Sequence, residues 1–266
     1  MSLPPNERGT LPIPTYPDLI GKVAVVTGGS GGIGAATCRA LAANGVKVAV
    51  NGRDDVKLAA VVSDIQAGGG QALGVAADVT DFAAIERMRL ATEQAFGAVD
   101  ILVAFAGGGQ GRPVPVAQMS MDDWHATINA NLSATFLTLR SFLPGMLERR
   151  RGAIITMASL AARIPTPASA AYAAAKAGII MLSRQVADEV GKHGIRINCV
   201  APSTILTEQI EQYLSPERQQ QMTAQHPLGR LGMPEDVALA TLYLASDASS
   251  WITGITLDVA GGKIMA

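Results

Sequence analysis

Tyr172 and Lys176 stand four residues apart in the run Ala171 to Ala177, and Ser159 lies thirteen residues upstream of the tyrosine. On a helix, residues four apart share one face, so the Lys176 ammonium can sit beside the Tyr172 phenol and favour its ionised form. A phenol left alone has a pKa of about 10 and is a poor proton shuttle. A general acid or base works best with a pKa near the operating pH, so a neighbouring cation is what the chemistry requires. With a serine hydroxyl close by, the trio suits interconversion of a carbonyl and an alcohol. The competing reading is a surface tyrosine and a solvated lysine on an alanine-rich helix, and the rest of the chain decides between them.

Such a trio needs a scaffold and an electron carrier. The apolar run Lys22-Val23-Ala24-Val25-Val26 leads into Thr27-Gly28-Gly29-Ser30-Gly31-Gly32-Ile33-Gly34, and Ala35 to Ala42 reads as helix. Strand, glycine turn and helix is the arrangement in which backbone N–H groups and a helix N-terminus cradle a pyrophosphate. Glycines serve there because a Cβ would block the approach of backbone to ligand. Gly28, Gly32 and Gly34 give Gly-x-x-x-Gly-x-Gly, and Gly29, Gly31 and Gly34 give Gly-x-Gly-x-x-Gly.

Periodicity along the chain places strands at 22–27, 46–50, 71–76, 100–104, 152–158, 195–200 and 255–258. Helices are expected at 32–44, 54–67, 81–96, 122–149, 169–192 and 234–247, with shorter helical pieces between 207 and 224. Seven strands alternating with helices imply an α/β fold: a doubly wound parallel sheet of the Rossmann kind, helices on both faces, ligands beyond the strands' carboxyl ends. A single domain over 21–266 accounts for this, preceded by a loosely ordered arm over 1–20 that holds Pro4, Pro5, Pro12, Pro14 and Pro17.

Hydrophobic residues make up 48% and aromatics 4%, a balance suited to an aliphatic core of parallel strands. With 22 acidic and 21 basic residues and a net charge of −1, the chain has no electrostatic footprint for nucleic acid. The densest basic cluster, Glu148-Arg149-Arg150-Arg151, reads as a solvated helix end. Cys38 and Cys199 lack metal-ligand spacing and read as small buried hydrophobes in a reducing compartment. His125, His193 and His226 are scattered, so no metal site is expected. The N-terminus lacks the basic and apolar regions of a signal peptide. The longest charge-free run, Trp124 to Leu139, is broken by polar residues and is no membrane span. A soluble cytoplasmic protein is expected.

From about Gly21 onward the chain resembles the short-chain dehydrogenase/reductase family. Besides the glycine turn and the Ser/Tyr/Lys set, the matching segments are Ala77-Asp78-Val79, Asn129-Ala130-Asn131-Leu132, Asn198-Cys199-Val200-Ala201-Pro202 and Pro227 to Gly232. The last, with Pro234-Glu235-Asp236-Val237 and Ile252-Thr253-Gly254, is similar to bacterial 3-oxoacyl-carrier-protein reductases. The resemblance implies an enzyme that moves a hydride between a nicotinamide cofactor and a carbonyl or alcohol substrate. It also implies a homotetramer paired through the helices expected at 122–149 and 169–192, where Ala168, Ala170, Ala171, Ala173 and Ala174 permit close approach.

The resemblance assigns cofactor contacts to Gly28, Ser30, Gly31, Gly32, Ile33 and Gly34 in the turn, to Asp78 and Val79 at the adenine, and to Ala106, Gly107, Pro202, Ile205 and Thr207, besides Tyr172 and Lys176. NAD-using relatives usually carry an acidic residue at the position matching Gly52, which cannot accept from ribose hydroxyls. The next residue, Arg53, matches a basic residue that many NADP-using relatives set against the 2′-phosphate. NADP(H) is therefore favoured over NAD(H), although Asp54 or Asp55 could neutralise Arg53. The alternatives are an NAD-dependent alcohol dehydrogenase of the same fold and a non-catalytic dinucleotide sensor, which loss of Tyr172 or Lys176 would have marked.

By resemblance, Tyr172 exchanges a proton with the substrate oxygen, Lys176 lowers the phenol pKa and meets the nicotinamide ribose, Ser159 steadies the oxygen, and Asn131 holds a water in a relay toward Lys176. Two departures stand out. Ala104-Phe105-Ala106-Gly107 replaces the usual Asn-Asn-Ala-Gly, which puts the bracing of the sheet in question, and Ser203 stands where Pro-Gly is usual. The substrate pocket is expected among Ala161, Arg163, Gly108 to Gln110 and the segment from Ser203 to Met222, with Arg163 either meeting an anionic substrate or lying solvated.

Overall fold

The computed structural model describes residues 12–108 and 114–265. Its strands are β1 Val23–Thr27, β2 Lys47–Gly52, β3 Gln71–Ala76, β4 Ile101–Ala104, β5 Gly152–Met157, β6 Ile195–Pro202 and β7 Thr256–Val259. They form one sheet in the order β3-β2-β1-β4-β5-β6-β7, and every pairing is parallel. All seven fall where the apolar runs were expected, shifted by at most two residues at their ends. The order reverses between β1 and β4, the switch point beside which open α/β sheets bind ligands.

The helices are α1 Gly32–Ala43, α2 Asp55–Ala67, α3 Phe82–Phe96, α4 Met121–Ile128, α5 Ala134–Arg149, α6 Ala170–Val190, α7 Glu208–Tyr213, α8 Pro216–Thr223 and α9 Pro234–Ala245. Strand residues alternate between two cores because successive side chains point to opposite faces. Ala24, Val26, Val48, Val50, Ile101 and Val103 pack with α1, α2 and α9 on one face. Val23, Val25, Ala49, Leu102 and Ile154 pack with α3, α5 and α6 on the other. Burial on both faces is why the strands read as continuous apolar runs.

Two expectations need correction. The single helix expected at 122–149 is not α-helical throughout: α4 and α5 are joined by a π-helical stretch over Asn129–Ser133. A π turn inserts a residue into the helix while keeping it continuous, and such turns gather at functional sites. The hydrophobic pattern cannot register so local a change. Part of the expected loose arm is also tied down. Asn44 accepts from the Tyr16 backbone N–H at 2.7 Å and donates to the Pro14 carbonyl at 3.0 Å, while Leu19 is wholly buried in the first core. Residues 1–11 of that arm lie outside the described residues.

Candidate active site

At the switch point the glycines do separate jobs. Gly28 has φ +69°, and a Cβ on it would lie 3.1 Å from the Ala106 Cα and nitrogen beyond β4. A Cβ on Gly34 would lie only 2.0 Å from the Gly28 carbonyl oxygen, so glycine there lets α1 start directly against the strand end. The Cβ position of Gly31, by contrast, meets nothing within 4 Å, and Gly31 and Gly32 are exposed. Gly31 is the N-cap of α1, supplies no side-chain cap, and no acidic residue stands in the first turn. Among the described residues no side chain caps the first N–H groups of α1, and a pyrophosphate fits them. Thr207, at the start of α7, reaches the same place: its Cγ2 is 3.1 Å from a Cβ built on Gly32.

The missing asparagines after β4 are replaced by a brace from the neighbouring strand. Thr27 Oγ1 accepts hydrogen bonds from the backbone N–H groups of Phe105 and Ala106, both at 3.1 Å. Phe105 itself is buried. Thr27 was not singled out from the sequence, and only its place at the strand end beside the glycines could have suggested it. Asn51 plays a matching part between β2 and β3, donating to the carbonyls of Val75 and Ala77 at 3.1 Å each.

At the adenosine end, Arg53 and Asp78 follow paired strands, since Gly52 is in register with Ala76. Asp78 Oδ1 accepts from the Thr80 N–H at 2.9 Å and hydroxyl at 2.7 Å. These bonds, with a smaller contribution from the nearby Arg53, hold the Asp78 carboxyl below the usual carboxylate range. Arg53 is exposed and makes no ion pair within 4.0 Å among the described residues. Asp54, one of the two acids that could neutralise Arg53, instead caps α2, its Oδ1 accepting from the Val56 and Lys57 N–H groups at 3.1 Å. Gly52 is filled from outside: a Cβ there would lie 2.4 Å from Ser30 Oγ.

At the other end, Ser159, Tyr172 and Lys176 converge. Ser169 caps α6 by accepting from the Tyr172 N–H at 3.2 Å, which fixes the first turn that carries the phenol. Burial raises the Tyr172 pKa above its ordinary value, and a hydrogen bond with Ser159 pulls it the other way. Lys176 is buried, donates to the Met157 carbonyl at 3.0 Å, and lies 5.5 Å from the centre of the Tyr172 ring. Desolvation lowers its pKa to about 8. Contrary to the sequence argument, burial rather than the cation dominates the phenol, and the lysine is the group more strongly displaced.

Asn131 sits inside the π turn with no exposed surface. Its side chain clamps Gly108, accepting from its N–H and donating to its carbonyl, both at 3.0 Å, and donates also to Thr127 O at 2.9 Å. It meets Gly107 too, where an added Cβ would lie 2.6 Å from Asn131 Oδ1. Arg163 is partly exposed and paired within the chain: its guanidinium meets the Asp258 carboxylate at 3.0 Å and donates to the Thr256 carbonyl at 3.4 Å. Gly109 and Gln110 of the expected pocket lie outside the described residues. Among the described residues, no group of three or more His, Cys, Asp or Glu could hold a metal ion, and no helix is long and apolar enough to cross a membrane. Burial raises both thiol pKa values, as suits cysteines that serve as packing.

A family model described as Enoyl-(Acyl carrier protein) reductase matches residues 28–263. The chain belongs to the short-chain dehydrogenase/reductase family. It is 40% identical over 249 residues to a 3-oxoacyl-(acyl-carrier-protein) reductase of Synechocystis sp., covering 93% of this chain and 98% of the relative. It is also 40% identical over 253 residues to 3beta-hydroxysteroid dehydrogenase 1 of Eggerthella lenta, covering 94% and 96%. A crystal structure of a 3-oxoacyl-(acyl-carrier-protein) reductase from Brucella melitensis with bound NAD superposes with TM-score 0.87 at 33% identity, covering 94% of each chain. As a short-chain dehydrogenase/reductase, the chain is an oxidoreductase acting on carbonyl or alcohol substrates with NAD(P)(H). Equal likeness to an acyl-carrier-protein reductase and a steroid dehydrogenase leaves the substrate open.

Proposed function

We propose that this enzyme is an NADP(H)-dependent reductase of a small-molecule carbonyl, with Tyr172 as its proton donor. The observation that carries the reading is the convergence of Ser159, Tyr172 and buried Lys176 at one end of the same strand edge on which α1 begins uncapped. The cofactor, when bound, supplies the hydride. Tyr172 gives its proton to the developing alkoxide, and its burial-raised pKa keeps that proton in place at neutral pH until it is needed. Ser159 donates to the same oxygen and spreads its charge. Lys176 holds a positive charge against the phenol ring, and Asn131 acts by positioning Gly107 and Gly108, with a place in the proton relay toward Lys176. Gly28, Ser30, Gly31, Gly32, Ile33, Gly34, Ala106, Gly107, Pro202, Ile205 and Thr207 line the path assigned to the dinucleotide, with Asp78 and Val79 at the adenine. NADP(H) is favoured over NAD(H) because Arg53 is exposed and unpaired while Gly52 offers no carboxylate.

Assembly as a homotetramer is supported by the outward apolar residues of α5 and α6, Phe136 at 48% exposure and Met181 at 60%, beside exposed Ala174. A monomer mass in light scattering contradicts it. The two unpaired thiols support a cytoplasmic home.

Tyr172→Phe tests the central assignment, because it removes the transferable proton and keeps the ring. Loss of the acid lowers turnover by about a hundredfold or more while NADPH still binds. Steady-state rates measured beside cofactor affinity decide it, and near-normal turnover in the variant sinks the proposal.

A further inference from the structure

A second polar pair stands past the end of β6, the strand next to β5. His226 is 3% exposed, and its Nδ1 lies 2.8 Å from the Met222 carbonyl oxygen. A carbonyl only accepts, so Nδ1 carries the hydrogen and Nε2 of the neutral ring is an acceptor. Ser203 Oγ is 2.9 Å from that Nε2 and must donate to it. The one hydroxyl proton of Ser203 is thereby spent, and Ser203, lining the neighbouring pocket, keeps an oxygen able to accept from a ligand.

The fold brings this acceptor to the same end of the sheet as the reacting group. Met157 of β5 is in register with Val200 of the adjacent strand β6, and Ser159 and Ser203 follow just past the ends of these two strands. Ser203 and His226 open into a pocket of about 180 Å³ whose apolar walls include Leu228, Val259 and Ala260. The pocket is held rigid. Leu206 N–H donates to Gly232 O at 2.7 Å, Gly232 N–H donates to Thr204 O at 3.1 Å, and Gly261, at φ +57°, packs on the imidazole. The Arg163–Asp258 pair ties the loop carrying Ser159 to a further pocket wall, Asp258.

Resting on the carbonyl-reductase reading, we propose that this pocket is a substrate subsite in which Ser203 Oγ accepts a hydrogen bond from a hydroxyl the substrate carries away from its reacting carbon. Hydroxy ketones, and diols in the reverse direction, are the class it selects. His226 is a positioning residue that sets the direction of the serine proton. The test compares cyclohexanone with the three hydroxycyclohexanones, using NADPH, and reads the ratio of kcat/KM between each hydroxy ketone and the parent. The wild type prefers at least one of them by about three- to tenfold, the worth of one neutral hydrogen bond. In Ser203→Ala and His226→Leu that ratio falls toward one, while Ser203→Thr, which keeps the hydroxyl, retains it. A wild type without preference, or a ratio unmoved in Ser203→Ala, overturns the inference. So does a shift confined to NADPH affinity, which would give the acceptor to the cofactor instead. A wild type that binds NADPH but reduces none of the four ketones overturns the reductase reading, and this inference with it.

Discussion

Helices α1 and α2 leave neighbouring strands at the same edge of the sheet and begin in opposite ways. At α2, Asp54 accepts from two first-turn N–H groups and Asp55 adds a second carboxylate, so the helix satisfies its own donors and opposes its own dipole. At α1 neither is present: the cap is Gly31, with no side chain to accept and no acid in the first turn. Side-chain caps also open α3, α4, α6, α7 and α8, through Asp81, Ser120, Ser169, Thr207 and Ser215. Helix α5 runs on from the π turn and α9 starts at Met233 with Glu235 and Asp236 in its first turn, so among the described α-helices that start from a loop α1 has neither a side-chain cap nor a first-turn acid, the opening that the proposed dinucleotide would fill. The same contrast explains why Asp54 does not pair with Arg53: it is engaged by its own helix.

The sharpest way to break the contrast is to give α1 the cap that α2 has. Gly31 has an extended backbone, φ −170°, and an open Cβ position, so Gly31→Asp introduces no clash. A carboxylate there gains about 0.5–1 kcal/mol of stability from capping and the dipole. It also occupies the N–H groups and repels a pyrophosphate, weakening dinucleotide binding by roughly a hundredfold or more. Thermal unfolding and cofactor titration on the same sample should move in opposite directions. If binding survives intact, the anion does not lie on α1.

How much of this was legible depended on whether a function lives in the backbone or in a distant side chain. The glycine turn was readable because close helix–strand contact and positive φ at Gly28 leave few other residue types possible. Ser159, Tyr172 and Lys176 were readable because helical spacing puts the last two on one face and their chemistry is narrow. The strands were readable because double-sided burial removes polar residues from them. Arg163 was not, since its partner Asp258 lies 95 residues further along. The Thr27 brace was hidden in the same way, joining groups 78 residues apart across two strands. The π turn that holds Asn131, and the side-chain bonds of Asn131 to Gly108, leave no mark on the periodicity. The direction of the pKa shift at Tyr172 depends on burial, which spacing alone does not give.

A second test moves one residue along, to the guanidinium that α2 leaves unpaired. A charge-assisted hydrogen bond to phosphate is worth about 1.5–3 kcal/mol, on the order of ten- to a hundredfold in affinity. Arg53→Ala should weaken NADPH binding by that factor and leave NADH nearly unchanged. Reversing the preference takes more than a carboxylate at Gly52, because a Cβ there would lie 2.4 Å from Ser30 Oγ. Gly52→Asp should therefore be inserted with Ser30→Gly, and the pair favours NADH, since the new carboxylate accepts from ribose hydroxyls and repels the phosphate. Competitive titration of the two cofactors measures both effects, and a wild type that prefers NADH contradicts the assignment of Arg53.

The smallest effect tests the capped side of the comparison and the NAD-dependent alternative together. If Asp54 serves only its helix, Asp54→Ala removes two hydrogen bonds to first-turn N–H groups and costs about 1 kcal/mol of stability, the ordinary worth of an N-cap. NADH affinity then stays within about twofold of wild type, because no ribose contact has been lost. Denaturant unfolding gives the first number and fluorescence titration the second. A variant of unchanged stability whose NADH affinity drops tenfold would show that Asp54 leaves its cap to hold the ribose. In that case α2 begins as open to the ligand as α1 does, and the NAD-dependent alcohol dehydrogenase becomes the better description of the enzyme.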